Sequence, residues 1–246
     1  MNALGMIVKN ESQWLSKTLP LLTRLCDLSI AVDTGSTDNT IALLEQHGVT
    51  VHKMEWAFDF SAARNRVITI AEESKCDYML MLDSDEMVYK AEMDALLANL
   101  GKLAYTFPRY NMTGQELTHW RPDLYPDQQT RLFKLNVGCR YRGKVHESLY
   151  GEGDDGHCLQ ARGKTVILNT PHIYHYGYCK PEEETWIRHH MYNCIRSDTV
   201  GDVVDAAPEG TDTSMPKGVP FLMHHPALSP LSPHELELPQ PDSDRE

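Results

Sequence analysis

Tyr78-Met79-Leu80-Met81-Leu82-Asp83-Ser84-Asp85-Glu86 is a short apolar run that stops on carboxylates. A run this brief, bounded by charge, reads as a buried strand rather than a helix, with its acids at the strand's carboxyl edge. Open α/β sheets bind their ligands at that edge. Side chains alternate along a strand, so Asp83 and Asp85 are expected on one side, roughly 7 Å apart. Two carboxylates so placed repel unless a cation joins them. Hard oxygen donors suit Mg²⁺ or Mn²⁺, ions that commonly hold a substrate phosphate. A solvated acidic turn after a core strand fits the motif alone equally well.

The rest of the amino-terminal half favours the first reading. Leu4-Gly5-Met6-Ile7-Val8 and Leu28-Ser29-Ile30-Ala31-Val32 are also short apolar runs, followed by Lys9-Asn10-Glu11 and Asp33-Thr34-Gly35-Ser36-Thr37-Asp38. Leu15, Leu19 and Leu22 keep helical spacing, as do Ala63, Val67 and Ile70, which predicts helices packed on a sheet. The resulting βαβα order implies an α/β fold with a mainly parallel sheet. Parallel strands finish on one side, so Asp33 should share a rim with Asp83. Gly35 allows a tight turn, and Ser36, Thr37 and Asp38 are read as caps of the next helix. Capping does not account for Asp33.

Four segments, in order, resemble the successive motifs of family 2 glycosyltransferases with the GT-A fold: Met6-Ile7-Val8-Lys9-Asn10-Glu11, Val32-Asp33-Thr34-Gly35-Ser36-Thr37-Asp38-Asn39-Thr40, Asp59-Phe60-Ser61-Ala62-Ala63-Arg64-Asn65 and Leu82-Asp83-Ser84-Asp85-Glu86. Thr130-Arg131-Leu132-Phe133-Lys134, Gly143-Lys144-Val145-His146-Glu147 and His175-Tyr176-Gly177-Tyr178 continue the resemblance, which is to the small bacterial and phage branch. It implies a Rossmann-like GT-A domain over residues 1–198, with a nucleotide-sugar half at 1–100 and an acceptor and catalytic half at 101–198. It also implies a nucleoside-diphosphate sugar donor, UDP-hexose first among them, and inversion at the anomeric carbon.

Carried over residue by residue, the resemblance gives Asp33 the nucleotide base, with the backbone around Val8 and Lys9 as the neighbouring wall. Arg64 steadies the nucleotide or its diphosphate, Asp83 and Ser84 lie at the nucleotide sugar, and Asp85 binds the metal that bridges the phosphates. The chemistry is sensible in its own right: a base N–H and ribose hydroxyls need acceptors, and a diphosphate needs positive charge. For Arg64 the alternative is a surface arginine on a helix at residues 61–72. Glu147 is the candidate general base, taking the proton of the attacking hydroxyl. Many relatives carry an acidic pair where this chain has His146-Glu147; the alternative makes His146 a metal ligand and Glu147 a partner of Arg142 or Lys144. His175 is a further metal candidate, with His172 and His146 as competitors, and an imidazole suits Mn²⁺ better than Mg²⁺. His189 and His190, adjacent on a predicted helix at 181–195, face different ways and make no metal site.

A formal net charge of −12 argues against nucleic-acid binding and against docking on anionic membranes. It also makes a cation more necessary beside a diphosphate. No stretch approaches bilayer-spanning length and no signal peptide is evident, so a cytoplasmic protein is expected. The six cysteines are scattered without a Cys-x-x-Cys pair and are expected reduced. Asn111-Met112-Thr113 matches a glycosylation acceptor but has no meaning without secretion. From about residue 199 recurrent prolines predict an irregular tail, 199–246, in which Val219-Pro220-Phe221-Leu222-Met223 is apolar enough to dock. Competing readings are a nucleotidyltransferase, which should carry a Gly- and Lys-rich phosphate loop, and a phosphatase, which should not have Met87 after its aspartates. A sugar-nucleotide binding module without catalysis is the third. The acceptor, whether glycan, lipid-linked sugar, peptide or small molecule, is not encoded in any motif.

Overall fold

In the computed structural model the described residues are 1–114, 119–153 and 156–200, with Val203, Ala207, Pro208, Thr211 and the backbone of Val219 and Pro220. The first half runs β1 (Asn2–Val8), α1 (Ser12–Leu22), β2 (Leu28–Asp33), α2 (Thr40–Gln46), β3 (Thr50–Lys53), α3 (Phe60–Glu73), β4 (Tyr78–Met81), β5 (Glu86–Met87) and α4 (Lys90–Leu97). The second half adds β6 (Ala104–Phe107), β7 (Arg109–Thr113), β8 (His119–Trp120), β9 (Gln129–Lys134), β10 (Arg140–Arg142), β11 (Ser148–Tyr150), β12 (Thr165–Ile167), β13 (Ile173–Tyr178), α5 (Glu182–Arg196) and β14 (Val219–Pro220).

The main sheet has seven strands in the order β12-β6-β9-β4-β1-β2-β3. Every pairing in it is parallel except those of β9, which runs antiparallel between β4 and β6. The mainly parallel α/β sheet expected from the alternating runs is therefore present. Both of its faces are covered, which is why its strands are nearly all apolar. Leu4, Met6 and Leu80 pack with Leu15, Leu19 and Leu22 of α1 on one face. Ala3, Ile30, Met79 and Met81 pack with Val67 and Ile70 of α3 on the other. Gly5 lets α3 approach β1: a Cβ there would lie 2.6 Å from Val67 Cγ1 and 2.7 Å from Met79 Sδ.

A second sheet, ordered β14-β8-β7-β13-β5, stands beyond the carboxyl end of β4. Its β5 is continuous in sequence with the acidic turn, so the two sheets meet at Asp83–Glu86. Trp14, Met87, Met112, Tyr174 and Tyr176 form the small core beneath it. The predicted tail falls mostly outside the described residues; Val219 and Pro220 pair antiparallel with Trp120 and His119, and residues 221–223 lie outside the description.

Candidate functional site

Strands β1, β2 and β4 deliver Lys9, Thr34 and Asp83 to the wall of one open cleft of ≈ 1320 Å³ at the carboxyl edge of the main sheet. Val8 is buried beneath this wall, and its carbonyl accepts from Thr34 N at 2.9 Å. Asp33 is 2% exposed. Its Oδ1 accepts from the backbone N–H groups of Gly35 and Ser36, each at 3.0 Å, closing a turn that Gly35 makes possible at φ 108°. Its Oδ2 is buried without a hydrogen-bond partner among the described residues.

The capping expectation for this loop is corrected in part. Asp38 Oδ1 does accept from Thr40 N at 3.0 Å, at the start of α2. Ser36 and Thr37 instead reach across to the β1–α1 loop: Ser36 Oγ accepts from Asn10 N, and Thr37 N donates to Asn10 Oδ1 at 2.7 Å.

The strand at Leu80 ends sooner than the apolar run implies. Glu86 N donates to Asp83 O at 3.0 Å, so Asp83–Glu86 is a turn and strand alternation does not relate Asp83 to Asp85. Both nevertheless line the cleft, as does Ser84. Asp83 sits between two guanidiniums, accepting at Oδ1 from Arg64 at 2.7 Å and at Oδ2 from Arg131 at 2.9 Å. Burial works against its charge, but Arg64 and Arg131 more than offset this and hold its carboxyl well below the usual range. Arg131 also donates to the fully buried Glu86 at 2.8 Å, and Glu86 accepts from Arg109 at 2.8 Å. Arg64 is a buried residue of α3, not a surface arginine. Its Nε donates to Glu147, which therefore pairs with Arg64 rather than with Arg142 or Lys144.

Asp85 and His175 come together from the turn and from β13. His175 Nε2 lies 3.8 Å from Asp85 Oδ1. The tautomer follows from a relay of hydrogen bonds. Asp127 accepts from Asn111 Nδ2 at 2.9 Å, which turns Asn111 Oδ1 toward His175 Nδ1 at 2.7 Å. An amide oxygen only accepts, so Nδ1 carries the proton and Nε2 is bare. Burial, then Arg109, pushes the imidazole down to about 4, so it is neutral near pH 7. Gly177 packs against the ring: a Cβ there would stand 2.3 Å from Nε2 and 3.2 Å from Arg188 Nη1. On the other side of Asp85, Lys180 Nζ is 3.2 Å and Arg188 Nη1 3.7 Å from Oδ2. Burial raises the Asp85 carboxyl, and Lys180, His175 and Arg188 outweigh it, leaving it at about 2.

A neutral imidazole nitrogen 3.8 Å from an ionised carboxylate oxygen is a donor pair that fits Mn²⁺. Among the described residues no group of three or more His, Cys, Asp or Glu side chains could hold a metal, so the protein offers a pair, not a closed cage. His146 stands apart from it; its Nε2 accepts from Arg196 at 2.8 Å. His172 stacks on Tyr110 with ring centroids 4.8 Å apart, away from the cleft. Of the adjacent pair on α5, His189 lines the cleft and His190 stacks on Trp186.

Arg109, Asp127, Lys180 and Arg188 carry much of the site and had no sequence signal of their own, while Glu86 lay inside a quoted motif without a role. Asn111 fits a glycosylation pattern in sequence, yet it is a 1% exposed residue of β7. Arg131 lay inside a recognised segment without a role.

A mainly parallel sheet with an open, charged cleft at the carboxyl ends of its strands is the α/β architecture of the GT-A class. The chain belongs to glycosyl transferase family 2, whose profile matches residues 4–149. Among known proteins it is 30% identical over 221 residues to a TPR repeat-containing protein of Synechococcus elongatus, covering 82% of this chain and 52% of that one. It is 29% identical over 176 residues to the SPbeta prophage-derived glycosyltransferase SunS of Bacillus subtilis, covering 71% of this chain and 39% of SunS. The chain thus spans about half or less of the length of these relatives. Among solved structures it is similar to S. aureus TarS residues 1–349 (TM-score 0.48, 15% identity, 80% of this chain and 64% of that one). It is also similar to the glucosyl-3-phosphoglycerate synthase of Mycobacterium tuberculosis, solved with Mn²⁺, UDP and glucosyl-3-phosphoglycerate (TM-score 0.47, 16% identity, 82% and 80%). No helix among the described residues is long and apolar enough to cross a membrane.

Proposed function

We propose that this chain transfers a sugar from a nucleoside-diphosphate sugar, UDP-hexose in the first instance, to an acceptor hydroxyl with inversion. The observation that carries the reading is the approach of the bare Nε2 of His175 to the ionised Asp85, 3.8 Å apart, at the edge where α/β sheets hold ligands. Asp85 and His175 are the residues that would hold Mn²⁺ or Mg²⁺; such an ion, when bound, supplies positive charge to the departing diphosphate.

The remaining roles belong to side chains in hand. Asp33 Oδ2, buried and without a partner among the described residues, is an acceptor for the ring N–H of uracil, with Val8 and Lys9 beside it. Asp83 and Ser84 face the ribose side, and Arg64 and Arg131 keep Asp83 ionised as an acceptor. Glu147 is anchored to Arg64 through Oε1 and turns its second oxygen to the acceptor hydroxyl, whose proton it takes as that oxygen attacks. Arg64 acts by holding both Asp83 and Glu147. The course this reading assigns is direct displacement, with the attacking hydroxyl entering on the face opposite the departing diphosphate.

Hydrolysis of UDP-hexose in the absence of acceptor separates this reading from a binding module, which binds without turnover. Asp85→Ala is expected to fold and to lose turnover by orders of magnitude. Near-normal turnover of that variant in chelator-treated buffer would sink the assignment.

A further inference from the structure

Asp85 is not a free carboxylate. Lys180, the residue two beyond β13, donates from Nζ to Glu11 Oε1 at 2.7 Å and lies 3.2 Å from Asp85 Oδ2, with its side chain 9% exposed. Arg188 approaches the same oxygen at 3.7 Å, but its other terminal nitrogen is fixed by the Gly177 carbonyl at 2.7 Å. The two cations differ in freedom: the guanidinium is tethered, whereas the ammonium ends a flexible stem and touches only carboxylates in these contacts. All four groups line the cleft.

We infer that Lys180 is a ligand of the donor's diphosphate, parked on Asp85 and Glu11 until that diphosphate arrives. The inference rests on the reading above, that Asp85 and His175 hold a divalent cation. Its ground is charge. Asp85 and Glu11 carry two negative charges, and Lys180 and Arg188 two positive ones, so the ligand-free cluster is neutral. A divalent ion entering alone faces an ammonium on its own ligand and raises the local charge to about +2. A sugar-nucleotide diphosphate entering alone brings about −2. Entering together they restore neutrality, with the ammonium exchanging a carboxylate oxygen for a phosphate oxygen and Asp85 released to the ion. Lys180 thereby makes cation and nucleotide binding mutually dependent, beyond what their direct contact gives.

Removing the ammonium should push the two affinities in opposite directions. In Lys180→Met, Mn²⁺ binding without nucleotide, read by electron paramagnetic resonance of the free ion, should tighten by about 10-fold or more. UDP binding at saturating Mn²⁺, read by calorimetry, should weaken by a similar factor of about 10. Circular dichroism checks the fold, and Lys180→Gln replaces the methionine if that variant fails to fold. If both affinities weaken together, or neither changes, Lys180 is a structural ion pair and this inference falls alone. If Mn²⁺ binds neither protein, with or without UDP, the cation reading of Asp85 and His175 falls first and takes the inference with it.

Discussion

Asp33 and Asp83 follow neighbouring parts of one sheet rim, yet their carboxylates are held by opposite means. Asp33 is fixed by backbone N–H groups two and three residues ahead of it, in a turn that its own segment encodes. Asp83 is fixed by Arg64, 19 residues away, and Arg131, 48 residues away. The first carboxylate needs only its loop. The second needs α3 and β9 to be docked before its charge is tolerable. A single relay extends from there: Glu147, Arg64, Asp83, Arg131, Glu86, Arg109, Asp127, Asn111 and His175 are linked by hydrogen bonds in that order. The candidate base and the candidate metal histidine are therefore ends of one charged framework, while Asp33 lies outside it.

The contrast is broken most directly at Arg131. Arg131→Ala leaves Asp83 with Arg64 alone and the fully buried Glu86 with Arg109 alone, and it should lower unfolding free energy by about 3 kcal/mol in urea titrations. An unchanged midpoint would mean that the remote arginines do not hold the rim.

Loop-held features were legible in the sequence because their cause is local. Leu15, Leu19 and Leu22 gave α1, the apolar runs gave the strands, and Gly35 with Asp33 gave the turn. The framework was not legible, because an ion pair between residues far apart leaves no spacing or period. Nothing around Glu86 says that it is fully buried between Arg131 and Arg109, and nothing after Tyr178 marks Lys180 as a partner of Glu11. The turn at Asp83–Glu86 was one of two readings the motif allowed: the apolar run continues to Leu82, which still donates to Gly5 O of β1 at 3.0 Å and packs in the core, and nothing in the run marks that the chain turns directly after it. The formal charge of −12 also misled about the cleft, where arginines and Lys180 offset the acids locally.

A pH titration sharpens the comparison at the far end of the relay. The folded His175 imidazole, at about 4, lies below its ordinary value of 6.5, so the unfolded chain takes up the proton first. Its contribution to stability is complete above pH 6.5 and is lost as pH falls toward 4. The loss should reach up to about 3 kcal/mol, and His175→Gln should flatten the denaturation curve over that interval. A variant as acid-sensitive as the wild type would place the cause elsewhere.

The smallest effect belongs to the locally held carboxylate. Asp33→Asn keeps Oδ1 for Gly35 and Ser36 and loses the second acceptor, so stability should change by less than about 1 kcal/mol. UDP affinity, by calorimetry, should fall by about 10- to 100-fold. A large fall in stability with unchanged UDP binding would reverse the contrast between the two aspartates.

The tie from Asn10 to Ser36 and Thr37, joined by Glu11 N to Thr40 Oγ1 at 2.8 Å and Ser12 N to Asp38 Oδ2 at 3.1 Å, interlocks two loops from adjacent strands. Conformational entropy there is already surrendered on folding, so under the proposed reading a base bound at this rim would meet a preorganised floor and need not assemble one.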